Sequence, residues 1–484
     1  RRVVSCCYCM TGAGGSGDLL QQAVAAHNAG QVEVALQLYQ QLLALQPANP
    51  QVLTLLATLL HQQGNVAQAV RTFHLALEIN PQYPDAYNNL SCLLREQAQL
   101  DDALLCLDAA CRLRPDYVDA HNNRAAVLCD LDRPAEALLA VDTALALQAD
   151  SLAGHFNRGN ALKELGRLED AANEYRWCLQ QSPEFAKATG NLAIVELMLG
   201  DYPRGLARYE GRWRNFDGGA GLHRFPDVPQ WQGQKLDSPL LIWTEQGLGD
   251  SLQMARFLAE AAQRSGQRLL LQCHAPLQRL LQQSFAAIAD VYVIGELLPA
   301  FGWQCPMMSL PYVLGKSLQD LPGCWPYLHA AAASIGAGKR RIGLCWQSGV
   351  HGGDNREQRR KSLPLAALEG LQQSGVVEFV CLQKGIDIPH WMATDIQACR
   401  DLADTAELSN SLDLVLSVDT AVAHLAGALG KPVWLMLKFD GGNFWLDGRS
   451  DSPWYPSMRI FRQPAPGDWA AVVAAIASEL ARDC

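Results

Sequence analysis

The sequence predicts an α-helical solenoid of repeated helix pairs, followed by an α/β region with parallel sheets. Three observations carry this prediction: a 34-residue period in the first half, short apolar runs alternating with helical patterns in the second, and a stretch rich in Gly and Pro between them. At 484 residues the chain is too long for one ordinary hydrophobic core, so we expect two or three domains.

The composition is that of a globular protein with an acidic balance. Hydrophobic residues make up 49%, charged residues 18%, and the formal net charge is -10. General nucleic-acid binding requires a basic surface that displaces counterions from phosphates, so this charge argues against nucleic acid as a partner. No apolar run reaches the roughly 18 residues that would span a bilayer. We therefore expect no membrane span and a cytoplasmic location.

The fifteen cysteines are scattered, and most lie inside apolar helix or strand patterns, as is typical of a reducing compartment. The exception is the group Cys6, Cys7 and Cys9, for which no second ligand pair stands at zinc-like spacing. The chain begins without Met, and we expect residues 1–17 to be disordered or derived from a tag.

Prolines, glycines and alanines recur in one phase through the first half. The recurring residues are Pro47, Pro81, Pro115 and Pro183, then Gly30, Gly64, Gly166 and Gly200, then Ala35, Ala69, Ala103, Ala137 and Ala171. Within each period, apolar residues fall at i, i+3, i+4 and i+7 in two runs divided by a polar break. Each period therefore predicts a helix hairpin: alanine lets the paired helices approach, glycine forms the turn and proline ends the second helix.

These hairpins resemble the tetratricopeptide repeat family, as five recognisable units and a degenerate sixth over roughly residues 16–217. One such hairpin cannot bury its apolar face alone. We therefore expect residues 18–217 to stack into a superhelix with a concave groove.

A column of asparagines keeps the same period, near the middle of the first helix in four units, whereas the second unit has Leu55 at this place. Its members are Asn89, Asn123, Asn157 and Asn191. A carboxamide offers two donors and an acceptor, which suits the backbone of an extended peptide. The resemblance to protein O-linked glycosyltransferases with an asparagine ladder implies a groove that binds an acceptor peptide. The alternative is that these side chains tie helix ends or neighbouring repeats together.

Residues 218–238 predict a linker, and seven short apolar runs follow it. The predicted strands are Leu240–Trp243, Arg268–Gln272, Val291–Ile294, Arg341–Trp346, Glu378–Gln383, Leu412–Ser417 and Pro432–Leu437. Continuous apolar strands that are each followed by a helix predict parallel sheets buried on both faces. A break after the third strand predicts two doubly wound lobes, residues 239–335 and 336–484, with a ligand at the carboxyl ends of the strands.

Two strand-to-helix turns stand out in this half. In "SVDTAVAH", the N–H groups of about residues 421–424 would face an anion at a helix N-terminus, joined by the Thr420 hydroxyl and by His424. The alternative makes Asp419 and Thr420 helix caps and His424 a buried polar residue. In "WTEQGLGDSL", the glycines allow a tight bend with room for substrate, and Asp250 would face the cleft while also capping its helix.

These turns, taken with "IGLCWQSG", "RRKSLP", "CLQKG" and "SDSPWYPSMRIFRQ", resemble the glycosyltransferase family 9 heptosyltransferase-like group, in its version fused behind tetratricopeptide repeats. The resemblance covers about residues 238–483. It implies a GT-B architecture of two Rossmann-like lobes, a nucleotide-sugar donor held mainly by the second lobe, and no cofactor or obligatory metal. This half shows no convincing cluster of metal ligands in its sequence.

The resemblance also implies roles for single residues. It assigns donor binding to Gly247, Gly249, Ser348, Lys361, Gln383, Lys384, Asp419, Thr420, Ala421 and His424. Lys361 would neutralise phosphate oxygens as the sugar leaves; the alternative is a solvated basic run. Asp250 would be the general base for the acceptor hydroxyl, with Glu245 as the runner-up, and inversion at the anomeric carbon would follow.

The sequence thus predicts a glycosyltransferase that modifies a protein held by the repeats. One alternative is a saccharide or lipid-linked acceptor, with repeats only for recruitment. Another is a non-catalytic scaffold that binds nucleotide. Exposed repeat edges would permit homo-oligomers without requiring them. Residues 438–454 differ from the more Trp- and Arg-rich segment usual in such fusions, and the donor sugar would depend on that segment.

Overall fold

Antiparallel helix pairs fill the first part of the chain. The computed structural model describes residues 16–215, 223–321, 323, 325–331, 339–349, 356–371, 377–442 and 444–482. The first ten helices are α1 Ser16–Asn28, α2 Val32–Leu45, α3 Pro50–Gln62, α4 Val66–Ile79, α5 Pro84–Glu96, α6 Leu100–Leu113, α7 Val118–Asp130, α8 Pro134–Leu147, α9 Leu152–Glu164 and α10 Leu168–Gln181. The predicted hairpins and their 34-residue frame are confirmed.

The turn inside each pair requires a left-handed backbone. Gly64 and Gly166 adopt it with φ of 77° and 73°, and Ala98 and Asp132 adopt it at the same repeat position with φ of 57° and 59°. Only glycine does so without a steric cost, which explains its recurrence. The alanines that keep the same period in the second helices are fully buried, so the paired helices approach closely.

The sixth helix pair, α11 Ala186–Met198 and α12 Tyr202–Tyr209, belongs to the second part of the chain. The chain divides into two compact units, residues 1–181 and 182–484. Tyr202 and Leu206 are part of the hydrophobic core of the second unit, and the Tyr202 hydroxyl accepts a hydrogen bond from Nε1 of Trp454 at 2.9 Å. The repeat that the sequence marks as degenerate is therefore built into the α/β unit.

In the described part of the second unit, ten strands form two all-parallel sheets. They are β1 Leu240–Trp243, β2 Leu269–Cys273, β3 Ala289–Val293, β4 Trp303–Pro306, β5 Arg340–Cys345, β6 Val377–Cys381, β7 Met392–Ala393, β8 Leu414–Val418, β9 Val433–Leu437 and β10 Met458–Arg462. The strand orders are β3-β2-β1-β4 and β10-β9-β8-β5-β6-β7. All seven predicted strands are present within a few residues, and the parallel arrangement is confirmed.

Helices accompany both sheets. They are α13 Arg212–Asn215, α14 Leu248–Met254, α15 Leu258–Ser265, α16 Gln278–Phe285, α17 Leu310–Val313, α18 Arg356–Lys361, α19 Leu402–Asn410, α20 Ala421–Ala428 and α21 Trp469–Arg482. Every residue of β1, β2, β8 and β9 is buried, as expected for sheets covered on both faces. Two helices, α14 after β1 and α20 after β8, follow central strands and begin at the carboxyl edges of the two sheets.

The segment whose composition predicts a linker is packed where the structure describes it. Trp231 is fully buried and its backbone N–H donates to the carbonyl oxygen of Gln304, in β4, at 2.8 Å. The Leu236 N–H donates to the carbonyl of Ser265 at 2.9 Å. Residues 218–222 of that segment lie outside the described residues, as do Cys6, Cys7 and Cys9 and all but the last two residues of the predicted N-terminal tail.

Within the described residues, no helix is long and apolar enough to cross a membrane.

Candidate functional site

The two strand-to-helix turns singled out in the sequence meet in space. A Cβ atom added to Gly249, in the first turn of α14, would lie 3.0 Å from Cδ2 of His424 and 3.5 Å from Cα of Ala421. The first turns of α14 and α20 are therefore in van der Waals contact. The room that the sequence assigns to substrate at Gly249 is filled by α20 itself.

This contact gives a testable prediction for stability. Gly249→Ala should lower the free energy of unfolding by about 1–3 kcal/mol, because the new methyl group would lie 3.0 Å from a ring carbon of His424, whose ring is held in place by the stacked Trp445 ring. Thermal unfolding measures the effect. Gly247→Ala is the matched control, since its Cβ would meet only a side-chain oxygen of Asp250, at 3.2 Å. Equal unfolding midpoints for the two variants would contradict the close approach.

Asp419 lies between two groups that can carry positive charge. Its Oδ2 is 2.8 Å from Nζ of Lys361, and its Oδ1 is 3.7 Å from Nε2 of His424. The side chain of Asp419 is 11% exposed and that of Lys361 is 23% exposed. Lys361 is thus half-buried at the end of α18 and does not belong to a fully solvated basic run.

The two partners hold each other charged. Burial works against a charge on Asp419, yet Lys361 and His424 hold the pKa of its carboxyl well below the usual range. Burial likewise works against a charge on Lys361, but the Asp419 carboxylate raises the pKa of the lysine above its ordinary value. The site therefore contains a fixed ammonium group at neutral pH.

The N-terminus of α20 carries no side-chain cap. The Thr420 hydroxyl lies 3.0 Å from Oγ of Ser417 instead. The N–H groups of Ala423 and His424 donate to the carbonyl oxygen of Thr420, at 3.1 and 3.3 Å. The predicted anion cradle of residues 421–424 is therefore reduced to the N–H groups of its first two residues, 421 and 422.

Asp250 faces this group from the other turn. It is half-buried at the third position of α14, where its Oδ2 accepts a hydrogen bond from the Gly247 N–H at 3.1 Å. Burial and, more weakly, the Asp419 carboxylate raise its pKa, while His424 and Lys361 oppose the rise. Asp250 thus caps its helix and lies within electrostatic range of the Lys361, Asp419 and His424 side chains.

The segment flagged as divergent, residues 438–454, borders the same place. The Trp445 ring stacks on the His424 imidazole, with centroids 5.1 Å apart and planes 22° apart. A Cβ on Gly442 would lie 3.5 Å from Oδ2 of Asp419. The hydroxyl of Tyr455, just beyond this segment, lies 3.0 Å from Nδ1 of His424. The sequence predicts no role for either aromatic residue, although Tyr455 lies in the segment "SDSPWYPSMRIFRQ", which contributes to the family resemblance.

Glu245 lies in a different network. Its Oε1 is 2.8 Å from Nη2 of Arg212, and its side chain is 5% exposed. Arg212 also bonds Glu210 at 2.7 Å and the Ser309 hydroxyl at 2.8 Å. Burial raises the pKa of Glu245 to about 7, although Arg212 opposes the rise. The carboxylate of this runner-up base is engaged by a buried arginine.

The remaining residues that are predicted to bind the nucleotide sugar, Ser348, Gln383 and Lys384, lie beyond the ends of β5 and β6. The Gln383 side-chain oxygen accepts from the N–H groups of Trp346 and Gln347, at 3.3 and 3.0 Å, which fixes the loop after β5. The Ser348 N–H donates to Oγ of Ser362, beside Lys361, at 3.0 Å. Lys384 is exposed and its Nζ donates to the carbonyl oxygen of Cys399.

The asparagine column makes contacts from one repeat to the one before it. Nδ2 of Asn123 donates to Oδ1 of Asn88 at 2.8 Å, and Nδ2 of Asn157 donates to the carbonyl of Asn122 at 3.0 Å. Nδ2 of Asn89 lies 3.4 Å from the Thr58 hydroxyl. These side chains do tie neighbouring repeats together, as the structural alternative expects. Asn191 stands in α11, within the second unit.

Among the described residues, no three His, Cys, Asp or Glu side chains form a group that could hold a metal ion.

The family models that match this chain lie in its first half. Models of the tetratricopeptide repeat match residues 26–91, 93–132 and 156–217. A curated relative, protein FlbA of Caulobacter vibrioides, is 28% identical over 340 residues. The match covers 61% of this chain and 54% of that protein, so the chain spans about half the length of the curated relative.

Two solved structures show partial similarity to this chain. A thermophilic TPR protein of Thermus thermophilus is 25% identical, with 38% of this chain and 100% of that chain covered and a TM-score of 0.33. Pseudomonas aeruginosa PilF is 18% identical, with 42% and 92% covered and a TM-score of 0.38. The first half of this chain is built of tetratricopeptide repeats.

Proposed function

We propose that the chain is a metal-independent, inverting glycosyltransferase that moves a sugar from a nucleotide-sugar donor to a hydroxyl of a protein acceptor. Its two parallel-sheet lobes would form a GT-B pair. One observation carries the proposal: the carboxylate of Asp250, in the turn after β1, lies within electrostatic range of the fixed ammonium group of Lys361, and its turn contacts the uncapped N-terminus of α20, after β8.

The uncapped turn and its cation suit the diphosphate of a nucleotide sugar. The N–H groups of residues 421 and 422, helped by the helix dipole, would bind phosphate oxygens. Cleavage of the anomeric bond leaves an extra negative charge on the diphosphate, and Lys361 would stabilise it. Asp419 holds this lysine charged and in place, at 2.8 Å.

Asp250 suits the role of base. The Gly247 N–H fixes one carboxylate oxygen, and the other would take the proton from the acceptor hydroxyl as it attacks. A pKa raised by burial increases the basicity of the carboxylate. Attack from the side opposite the diphosphate would invert the anomeric carbon. Glu245 is less suitable, because Arg212 engages its carboxylate.

The repeats would hold the acceptor protein. Stacked tetratricopeptide repeats form extended concave surfaces that bind other proteins. Asn123 and Asn157 use amide donors within the solenoid, and their oxygens would serve a peptide. Asn89 uses an amide donor and also its oxygen, which accepts from Nδ2 of Asn88.

Asn123→Ala tests the peptide groove. We expect it to weaken binding and modification of the acceptor protein, and to lower stability by about 1 kcal/mol through the lost bond to Asn88. Asn173→Ala is the matched control, since Asn173 is exposed on α10, a second helix. The affinity for the acceptor protein is measured at temperatures below those at which either variant unfolds. If Asn123→Ala changes neither the affinity for the acceptor protein nor the transfer of sugar, the asparagine column serves only to tie neighbouring repeats together.

The enzymatic proposal is tested in two steps. A panel of nucleotide sugars is first screened for a rise in the unfolding temperature, since a ligand that binds the native state stabilises it by mass action. The binder is then incubated with the chain and candidate acceptors, and mass spectrometry locates the sugar. Sugar found only on a saccharide or lipid-linked acceptor would assign the repeats to recruitment. Binding with neither transfer nor donor hydrolysis would indicate a nucleotide-binding scaffold.

A further inference from the structure

Two buried tyrosines lie behind the candidate site and form a short hydrogen-bonded chain with His424. The Tyr455 side chain is fully buried, and its hydroxyl lies 3.0 Å from Nδ1 of His424 and 3.5 Å from the hydroxyl of Tyr327. The Tyr327 hydroxyl lies 3.0 Å from the carbonyl oxygen of Leu252, in α14. The chain therefore runs from the helix that carries Asp250 to the imidazole beside Asp419.

The carbonyl at one end fixes the direction of the hydrogen bonds. A carbonyl oxygen only accepts, so Tyr327 donates its single hydroxyl hydrogen to Leu252. Tyr455 then has two acceptors for its own hydrogen, Nδ1 of His424 at 3.0 Å and the Tyr327 oxygen at 3.5 Å. An O–H donor prefers the shorter contact, because 3.5 Å is beyond the usual range for such bonds. Tyr455 therefore donates to Nδ1.

Arg256 fixes the orientation of the two tyrosine rings. Its guanidinium lies over the Tyr327 ring at 5.0 Å and over the Tyr455 ring at 5.2 Å. Arg256 is buried and donates to the carbonyl oxygens of Leu321 and Trp454, so it is anchored on two sides. Cation–π contacts with a desolvated guanidinium resist rotation of either ring.

We infer that Tyr455 sets the tautomer of His424, so that the neutral imidazole carries its proton on Nε2 and offers that N–H to the site. The Nε2 atom is 3.7 Å from Oδ1 of Asp419, too far for a full hydrogen bond. The N–H is thus available to an oxygen of a bound ligand. The identity of this ligand rests on the proposed function: it is the diphosphate of the nucleotide sugar. His424 donates a hydrogen bond to one of its oxygens. Tyr455 is a positioning residue that acts through His424.

The tautomer is measured directly by NMR. Long-range proton–nitrogen correlation on the full chain with ring-labelled histidine, at about pH 8 where ordinary imidazoles are neutral, distinguishes the two nitrogens. Loss of a signal set in His424→Gln identifies the residue. We expect a protonated Nε2 and an unprotonated Nδ1. A protonated Nδ1 in the unsubstituted chain, whether in the other tautomer or in an imidazolium, would overturn the inference.

Two substitutions at buried positions distinguish the effect of the hydrogen bond from Tyr455 to His424 from the effect of ring packing. Tyr455→Phe keeps the ring but removes the donor, so the fraction of His424 in the Nε2 tautomer should fall. Tyr327→Phe alters the same cluster but leaves Tyr455 able to donate, so the tautomer should persist. Tyr312→Phe, at a position 42% exposed, is the unperturbed reference. An unchanged tautomer in Tyr455→Phe would show that Tyr455 does not set it.

Inorganic pyrophosphate probes the outward N–H without requiring catalysis. We expect it to shift the Nε2 resonance of His424 and to bind about tenfold more weakly to Tyr455→Phe than to Tyr327→Phe. An Nε2 signal unmoved by saturating pyrophosphate would refute the diphosphate contact. If the tautomer is as expected and pyrophosphate binds but no sugar is transferred, the proposed function fails while the role of Tyr455 stands.

Discussion

An Asp250→Asn variant should keep its fold and its affinity for the nucleotide sugar while losing roughly 10²- to 10⁴-fold in the rate of transfer. The amide retains an oxygen that accepts the Gly247 N–H, so the capping contact at 3.1 Å survives. It cannot take a proton from the acceptor hydroxyl. Single-turnover transfer measures the loss, and ligand-induced thermal stabilisation checks that the donor still binds.

Asp468→Asn is the matched control. Asp468 also accepts a hydrogen bond at the start of a helix, from the N–H of Ala471 in α21 at 3.0 Å. It should change neither transfer nor donor binding. Full activity in Asp250→Asn would remove this residue as the base. Glu245→Gln would then test the alternative base.

The largest loss of stability is expected from Arg212→Met. The Arg212 side chain is 4% exposed and lies 2.8 Å from Glu245 and 2.7 Å from Glu210. Its removal leaves the buried Glu245 and the half-buried Glu210 without their cation, and breaking such a buried pair typically costs about 3–5 kcal/mol. Urea unfolding followed in the second unit measures the change.

Two further variants isolate the cause of that loss. Arg204→Met removes an arginine whose side chain is 71% exposed and whose ion pair should contribute little. Adding Glu245→Gln to Arg212→Met removes one buried carboxyl group that has lost its partner and should recover part of the loss, so the two substitutions should not be additive. A loss below about 1 kcal/mol in Arg212→Met would show that water or rearrangement compensates for the missing cation.

The sequence predicts the parts of this molecule that depend on local patterns. Hairpin turns require glycine or a residue that tolerates a left-handed backbone, so the period alone locates them. Strands buried on both faces are continuous apolar runs, so β1, β8 and β9 are recognisable. Ligands of parallel α/β sheets bind at the carboxyl ends of the strands, so the sequence predicts a binding site at the turns that carry Asp250 and Asp419.

What the sequence does not predict depends on contacts between distant segments. The strands β4 and β10 are short and mixed in composition, and they exist as strands because β1 and β9 bond to them. Tyr455 reaches His424 across 31 residues, and Arg212 reaches Glu245 across 33. A glycine at position 249 indicates that space is needed, but only the fold shows that a helix occupies that space.

The sixth helix pair has a consequence for how proteins of this kind can change in length. Leu197, Tyr202 and Leu206 belong to the core of the α/β unit, so its sequence is constrained by that core rather than by the repeat pattern. The buried residues of that core begin at Leu197, so we expect repeats before Gln181 to be gained or lost in register more readily than α11 and α12. Insertions, deletions and grafts should therefore be tolerated in steps of 34 residues upstream of Ser182, and a graft joined at residue 217 would remove part of the core that it was meant to spare.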